Sequence, residues 1–382
     1  MLKKTVKYFF NDSSDVEGGV HSCIDQLNYY LSDNKFTVNN ILQSTAFIRS
    51  DKLNYEKISK LIESSLKEHQ INIPNIVVAQ APYKNEIAFE VLFIDDKFDV
   101  LKSSNNCKII KVDGVIELYT SVSSDNQTNN IKACSTSAHN KLKVILSDNI
   151  FSINDIVRQW NYIADILNND DIQHYQEFNN QRTGFYKTVK WDYGYPAATG
   201  IGTRAGGIGI NLIAAKSSAN YEVYPIKNPK QTDAHSYSEK VLRGSKEGLS
   251  KTTPKFERGK IIITNNYIDI YVSGTAAIIG ENTIPEMDVK SQTRTTIENI
   301  LSLVSIENLR NSIPEKYHSR LKYLFNEISF SYIRAYVKQE ENIPEVEKIC
   351  HKYLGDTPTI FVVADICRGN LLVEIETAIL TY

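Results

Sequence analysis

The chain is poor in every feature that would mark a specialised class of protein. Its five cysteines, Cys23, Cys107, Cys134, Cys350 and Cys367, are scattered, odd in number and without a C-x-x-C pair, which argues against a disulfide framework and suits a reducing compartment. No stretch approaches the ~18 consecutive apolar residues of a membrane span. The apolar part of the opening MLKKTVKYFFNDSSD is too short for a signal-peptide core, so a cytoplasmic chain with no membrane partner is expected. An excess of one charge is missing too. With 43 Lys plus Arg against 45 Asp plus Glu the formal charge is −2, so phosphate-backbone binding has no electrostatic support and no nucleic-acid partner is expected. With 17 glycines, 10 prolines and 42% apolar residues, collagen-like and disordered classes are excluded. The seven histidines never fall three to five apart, so no single helix or hairpin offers paired metal ligands and no metal is expected unless distant residues converge.

What is present is ordinary globular periodicity. The 382 residues allow two or three domains at ~100–200 residues each. In the last third, Ile297, Ile300, Leu301 and Val304 follow the i, i+3, i+4, i+7 spacing of an amphipathic helix. Before it, KIIITNNYIDIYVSG holds two β-branched runs around Asn265-Asn266, a hairpin ending at Ser273-Gly274-Thr275. After it come a strand from Ser329 to Val337, a helix from Pro344 to Leu354 with proline in its first turn, and strands Thr359 to Ala364 and Leu371 to Ile379. The order is ββαβαββ.

The second half of that order recurs earlier in the chain. INDIVRQWNYIADIL, YQEFNNQRTGFY, YPAATGIG and INLIAAK align with the later strand, helix, strand and strand. This sets Pro196 opposite Pro358 and Asn211 opposite Glu374. Upstream, Ile58, Leu61, Ile62 and Leu66 share one helical face and supply a matching first helix. Two related αβ units follow, with a polar crossover rich in Ser, Gly and Lys that is long enough to carry a function of its own.

Two glycine patterns are set aside on context. Gly200-Ile-Gly202-Thr-Arg-Ala205 matches G-x-G-x-x-A, with Glu222 about 20 residues on, but the strand-like GGIGINLIAAK follows where a dinucleotide fingerprint opens a helix. A glycine-permitted tight turn between strands is expected instead. Gly248-Leu-Ser-Lys251-Thr252 lacks the glycine directly before lysine that a phosphate loop requires.

Chemistry concentrates near the C-terminus. In Cys367-Arg368-Gly-Asn-Leu-Leu-Val-Glu374-Ile-Glu376, two carboxylates fall on one face of a strand at period two. Glu374, flanked by Leu371, Leu372, Val373 and Ile375, is placed for desolvation, which raises a carboxyl pKa and makes a general acid at neutral pH. Pattern alone favours both glutamates facing solvent on a half-exposed strand, since glutamates are rarely buried. Arginines and tyrosines gather in two other stretches: Tyr175, Asn179, Arg182 and Tyr186, then Tyr237, Lys255, Phe256 and Arg258. Guanidinium forks beside phenol hydroxyls suit a small polyanionic acid.

Ser273-Gly274-Thr275, the Asp288-Val-x-x-Gln292-Thr segment entering a helix at Glu298-Asn299, and Val373-Glu374-Ile375-Glu376 together resemble the RidA/YjgF fold. More narrowly, PAATGIG (196–202), PKFERG (254–259), VSGTAAIIGE (272–281) and DICRGNLLVEIE (365–376), in this order, resemble the chorismatase family. That resemblance implies an α+β fold of two fused RidA/YjgF-like (chorismate mutase-like) units, each a mixed sheet with helices on one face. The expected division is a degenerate N-terminal unit at 1–216, a crossover at 217–253 and a C-terminal unit at 254–382. Internal pseudo-symmetry would then replace part of a RidA-like trimer. It also implies hydrolysis of the enolpyruvyl ether of chorismate to pyruvate and a hydroxybenzoate, without metal or cofactor, with Glu374 as the acid that protonates the methylene carbon. Arg182 and Arg258 would hold the two carboxylates, with Tyr186 and Tyr237 as hydroxyl partners and Gly274 and Thr275 lining the ring site. Cys367, seven before the acid, resembles the members that aromatise the ring to 3-hydroxybenzoate; a small buried hydrophobe is its alternative role.

The simple imine deaminases of the RidA fold carry an arginine two residues after the proline that opens the penultimate strand. Here Pro358 is followed by Thr359 and Ile360, and Pro196 by two alanines. An imine or enamine hydrolase, which would not need Arg182 or Arg258, and a non-catalytic paralogue that binds aromatic acids remain the alternatives.

Overall fold

The computed structural model describes residues 3–11, 15–95, 97–125, 130–168, 173–217, 221–242, 251–324 and 330–380. Gly248 to Ser250 of the rejected phosphate loop and Ser329 of the expected strand lie outside these residues.

Three mixed sheets carry the chain. The first is built from β1 (Lys3–Phe10), α1 (Val16–Asp33), β2 (Ile41–Ile48), α2 (Tyr55–Glu68), β3 (Asn75–Val78) and, after the two-residue β4 (Ala81–Pro82), β5 (Ile87–Asp95). The second holds β6 (Asp99–Ser103), β7 (Cys107–Val112), β8 (Val115–Ser123), α3 (Ile131–Asp148), β9 (Ile156–Ala164), α4 (His174–Tyr186), β10 (Ala197–Thr203) and β11 (Ile208–Ser217). The third begins with β12 (Glu222–Ile226), β13 (Gly259–Ile263) and β14 (Ile268–Ala276), and a small ladder of β15 (Ile278–Ile279) and β16 (Asn282–Thr283) branches from it. It continues through α5 (Val289–Leu303), α6 (Ile306–Ser312), α7 (His318–Leu324), β17 (Tyr332–Val337), α8 (Ile343–Leu354), β18 (Thr359–Val363) and β19 (Val373–Leu380).

Read from the same end, the strand orders are β3-β2-β5-β1, β10-β9-β11-β8-β7-β6 and β18-β17-β19-β14-β13-β12, with β4 added beyond β18. The pairs β2/β3, β9/β10 and β17/β18 are parallel, and the remaining ladders of the three sheets are antiparallel. One topology therefore occurs three times, the first copy lacking the outer hairpin.

The α+β class and the helix-on-one-face layering stand, but the span 1–216 holds two sheets where one unit was expected. Amphipathic spacing identified α2 as a helix without saying which sheet it covers. It packs with α1, and the helix equivalent to α5 is α3. The boundary at 254 also moves, because β12 lies inside the expected crossover and pairs with β13. Pro225 hid this strand; proline is tolerated there because β12 is the sheet edge.

Each helix pair covers one face of its sheet, forming three outer clusters. The other faces meet in a shared centre with Phe47, Tyr119, Trp160, Ile213, Tyr271 and Tyr336. Sheets covered on both sides explain why β2, β9, β17 and β19 are buried along their whole length rather than alternating. Within the centre, Lys4 of β1 reaches Glu117 of β8 at 2.7 Å and Asp269 of β14 at 2.9 Å, one charged side chain from each sheet.

Candidate active site

Two polar side chains of α5 set the strands of the site. Asp288 caps the helix by accepting the Ser291 N–H at 2.9 Å. One turn on, Gln292 donates to the Asn370 carbonyl at 3.0 Å and accepts the Leu372 N–H at 2.8 Å, fixing the entry to β19. Asn299 donates to the carbonyls of Ala276 and Ile278 at 3.1 and 2.9 Å, fixing the end of β14. Glu374 then sits on β19 opposite Ala276 and Tyr336. The β14–β19 ladder changes register between Val272 and Thr275, and Gly274 at this bend lies against the Glu374 carboxyl. A Cβ at Gly274 would collide with Glu374 Oε1 and come within 2.9 Å of Thr199 Cγ2.

The two glutamates share a face, as period two requires, yet neither faces solvent: Glu374 is 4% exposed and Glu376 0%. Burial first, and the neighbouring Glu376 second, raise the Glu374 carboxyl from its ordinary 4.5 to about 8, with Arg158 and Arg258 opposing. The side chain is thus a neutral acid at pH 7. Its wall is the cleft between the second and third units, about 740 Å³ counting its open mouth. Tyr175 and Asn179 of α4, and Ala198 and Gly200 of β10, face Glu374, Gly274, Arg258 and Cys367 of the third unit, and Tyr237 and Arg368 also line the cleft. Arg258 donates to the Tyr237 hydroxyl at 2.5 Å and the Thr232 carbonyl at 2.7 Å. Its buried Nε has no partner among the described residues. Both Arg258 and Arg368 lie 5.5 Å from the Tyr237 ring centroid, so two guanidinium groups flank one aromatic face. The Cys367 thiol is pushed up to about 12 by burial and then by Glu374, which leaves it a neutral wall.

Of the residues singled out from the sequence, Glu374, Tyr237, Arg258, Gly274 and Cys367 line this cleft. Three do not. Arg182 points behind Asn179, to which it donates at 2.6 Å. The Tyr186 hydroxyl is engaged by Gln159 at 2.8 Å and its ring stacks on Tyr195 at 5.8 Å. Thr275 turns to the opposite side of the strand from Gly274 and donates to the Ser273 carbonyl at 2.8 Å. Arg368 takes a cleft position that residue clustering alone did not assign to it. The glycines of PAATGIG also differ from expectation. Gly200 and Gly202 lie inside β10, where a Cβ would meet Tyr175 at 3.1 Å or the Asp365 carbonyl oxygen at 2.7 Å; the turn comes later, at Gly206 and Gly207. Gly200 lets α4 sit close on its own sheet, and Gly202 permits close contact with the third unit.

Spacing along the chain gave no metal ligands, but folding brings Asp233, His235 and Glu257 together, with ligand atoms within 4.8 Å of one another. Each is already paired: His235 with Glu257 at 3.6 Å, Glu257 with the Tyr195 N–H at 3.0 Å, and Asp233 with Lys227 at 3.4 Å.

The repeated topology shows why one acid serves the chain. Glu374 lies opposite Tyr336 of β17, Asn211 opposite Trp160 of β9, and Ala88 opposite Phe47 of β2. Two residues on, the series is Glu376, Ile213 and Glu90, facing Arg334, Arg158 and Thr45. The expected match of Asn211 with Glu374 holds in the ladders. Pro196 falls one position away from Pro358, because Ala197 faces Arg158 whereas Ile360 faces Arg334. The third unit alone has both acids.

The family described as chorismatase FkbO/Hyg5-like, N-terminal, matches residues 100–214, which is the second sheet with its helices. A "3-hydroxybenzoate synthase" from Streptomyces hygroscopicus is 31% identical over 238 residues, 60% of this chain and 65% of that protein. A "Chorismatase" from Streptomyces rapamycinicus is 31% identical over 227 residues, 58% of this chain and 63% of that protein. The chain thus aligns with somewhat less than two thirds of either relative's length. A solved chorismatase crystal structure superposes with a TM-score of 0.65 at 20% identity, covering 99% of this chain and 98% of the other.

Proposed function

We propose that this chain, a relative of the chorismatases in sequence and in fold, hydrolyses the enolpyruvyl ether of chorismate, with Glu374 as the general acid. One observation carries the reading: an uncharged carboxyl, raised to about 8 by burial, opens onto a cleft lined by two guanidinium groups, those of Arg258 and Arg368. Protonating an enol ether at carbon requires an acid that keeps its proton at neutral pH, next to cations that hold the substrate's carboxylates. The proton goes to the terminal methylene, and the ether oxygen stabilises the resulting oxocarbenium ion. Water adds to that carbon, the hemiketal collapses, and pyruvate leaves with the ring alcohol as the other product. Capture by a ring hydroxyl in place of water is the alternative route through the same cation.

Chorismate has the same atoms as pyruvate plus a hydroxybenzoate, so the water taken up at the ether is returned when the ring aromatises. The neutral, small Cys367 thiol and the relative named 3-hydroxybenzoate synthase favour 3-hydroxybenzoate as the ring product. Arg258 and Arg368 are the groups positioned for the two carboxylates, with Tyr237 between them. Arg182 and Tyr186 support this wall from behind through Asn179 and Gln159. The test is to incubate purified protein with chorismate, follow pyruvate with a coupled dehydrogenase, and resolve the ring product by chromatography. Release of both products is expected, with Glu374→Gln slower by roughly 10²–10⁴-fold. A wild-type protein that binds chorismate without turnover would make the chain an aromatic-acid-binding relative instead.

A further inference from the structure

Glu376, the second acid of the strand, touches no part of the cleft, yet it is among the most densely partnered side chains in the molecule. It pairs with Arg158 at 2.5 Å and Arg334 at 2.7 Å. It also accepts from Trp160 Nε1 at 2.9 Å, from the Tyr336 hydroxyl at 3.1 Å, and from the Thr199 hydroxyl. With every lone-pair direction committed to a donor, the group is fixed in place between two guanidinium groups. Thr199 extends the cluster toward the site: its Oγ1 also accepts the Gly274 N–H at 3.0 Å and a second bond from Arg158 at 2.8 Å. Glu376 is therefore tied through one hydroxyl to the backbone bend against which the Glu374 carboxyl rests.

We propose that Glu376 is a positioning residue: clamped between Arg158 and Arg334, it sets the field at the Glu374 carboxyl and, through Thr199, holds the Gly274 bend that shapes the acid's seat. The inference rests on the reading of Glu374 as the proton donor. The charged and titratable groups around Glu374 are Glu376 on its own strand, Arg158 from β9, Arg258 from the segment before β13, the Cys367 thiol from the loop after β18, and Tyr175 from α4. Of these, Glu376 is the one anion that favours the neutral acid, whereas Arg158 and Arg258 favour its ionisation. The equivalent position on β11 of the second unit is Ile213, an uncharged residue paired with Arg158 of β9.

This assigns opposite effects to two partners of one ion pair, which a purely structural role would not produce. Removing the Glu376 charge leaves Arg158 and Arg258 acting on Glu374; removing the Arg158 charge leaves Glu376 acting on it. In Glu376→Gln the alkaline limb of the kcat profile should move down by about one pH unit or more, and in Arg158→Gln it should move up. Thr199→Val keeps both charges but releases the Gly274 N–H, so it should lower kcat at least about tenfold with a nearly unmoved limb. If Glu376→Gln does not fold, Arg158→Gln decides: an upward limb supports the proposal, and an unmoved or lowered limb overturns it. An infrared band of a protonated buried carboxyl, assigned by its loss in Glu374→Gln, gives the same titration without substrate. Wild type that releases no pyruvate would remove the chorismate reading. A band that titrates at the same pH in wild type and Arg158→Gln would remove this one.

Discussion

Replacing Glu374 by glutamine should make the protein's stability less dependent on pH, by an amount the burial of one carboxyl determines. Folding takes this group from its ordinary 4.5 to about 8. Because the folded value is raised, the stability the group contributes is fully present below about pH 4.5 and is lost as pH rises through about 8. Within that window each pH unit removes about 1.4 kcal/mol from the wild type, since the unfolded chain releases a proton that the folded one keeps. Glutamine has no such proton. The difference in unfolding free energy between Glu374→Gln and wild type should therefore grow by about 3 kcal/mol from about pH 5.5 to about 7.5. The fixed cost of seating a buried amide with imperfect partners is the same at every pH and cancels from that slope. Equilibrium urea unfolding, followed through the fluorescence of Trp160 in the central cluster, reads the quantity directly. A difference that stays level across the range would mean that the carboxyl is ionised in the folded protein, and proton donation from it at neutral pH would then have no basis.

Four further outcomes follow from the same geometry. Gly274→Ala pushes a methyl into the space of the Glu374 carboxyl, so kcat should fall roughly tenfold to a hundredfold with KM little changed; full activity would show that the bend is not part of the acid's seat. Arg258→Met should raise KM by about tenfold or more through loss of a charge-assisted contact, whereas Tyr186→Phe, whose hydroxyl serves Gln159, should change KM less than about twofold; the reverse ranking in steady-state kinetics would exchange their assignments. Lys4→Met leaves Glu117 and Asp269 without their shared cation and should destabilise by about 3–5 kcal/mol in a urea titration. A loss below about 1 kcal/mol would place those charges in contact with water.

Much of the architecture is legible in local pattern. The face of α5, the hairpin of β13 and β14, and the alternation that sets Glu374 beside Glu376 all depend on neighbours within a few residues, where periodicity has direct physical meaning. The first sheet is harder to read. Its central strands, β2 and β5, are buried nearly throughout and so lack alternation, and the sheet omits the outer hairpin that would have announced a repeat. The helix α2 was recognisable from its apolar stripe, but its partner sheet was not, since an amphipathic face specifies only that something apolar covers it. Arg182 was similarly misplaced. It shares a cluster with Tyr175 and Asn179 along the chain, yet on α4 its side chain turns behind Asn179.

The amino-acid order alone indicated the class of fold and the strand on which Glu374 and Glu376 lie side by side. Tertiary structure decided which of two glutamates, two residues apart and alike in sequence surroundings, keeps a proton. Glu376 met Arg158 and Arg334, brought from β9 and β17, and is ion-paired with both. Glu374 met apolar walls, a neutral thiol and that anion, and was held neutral. Desolvation and Coulomb fields depend on what surrounds a carboxyl in three dimensions, and part of those surroundings, Arg158, Trp160 and Thr199, comes from a different repeat of the chain.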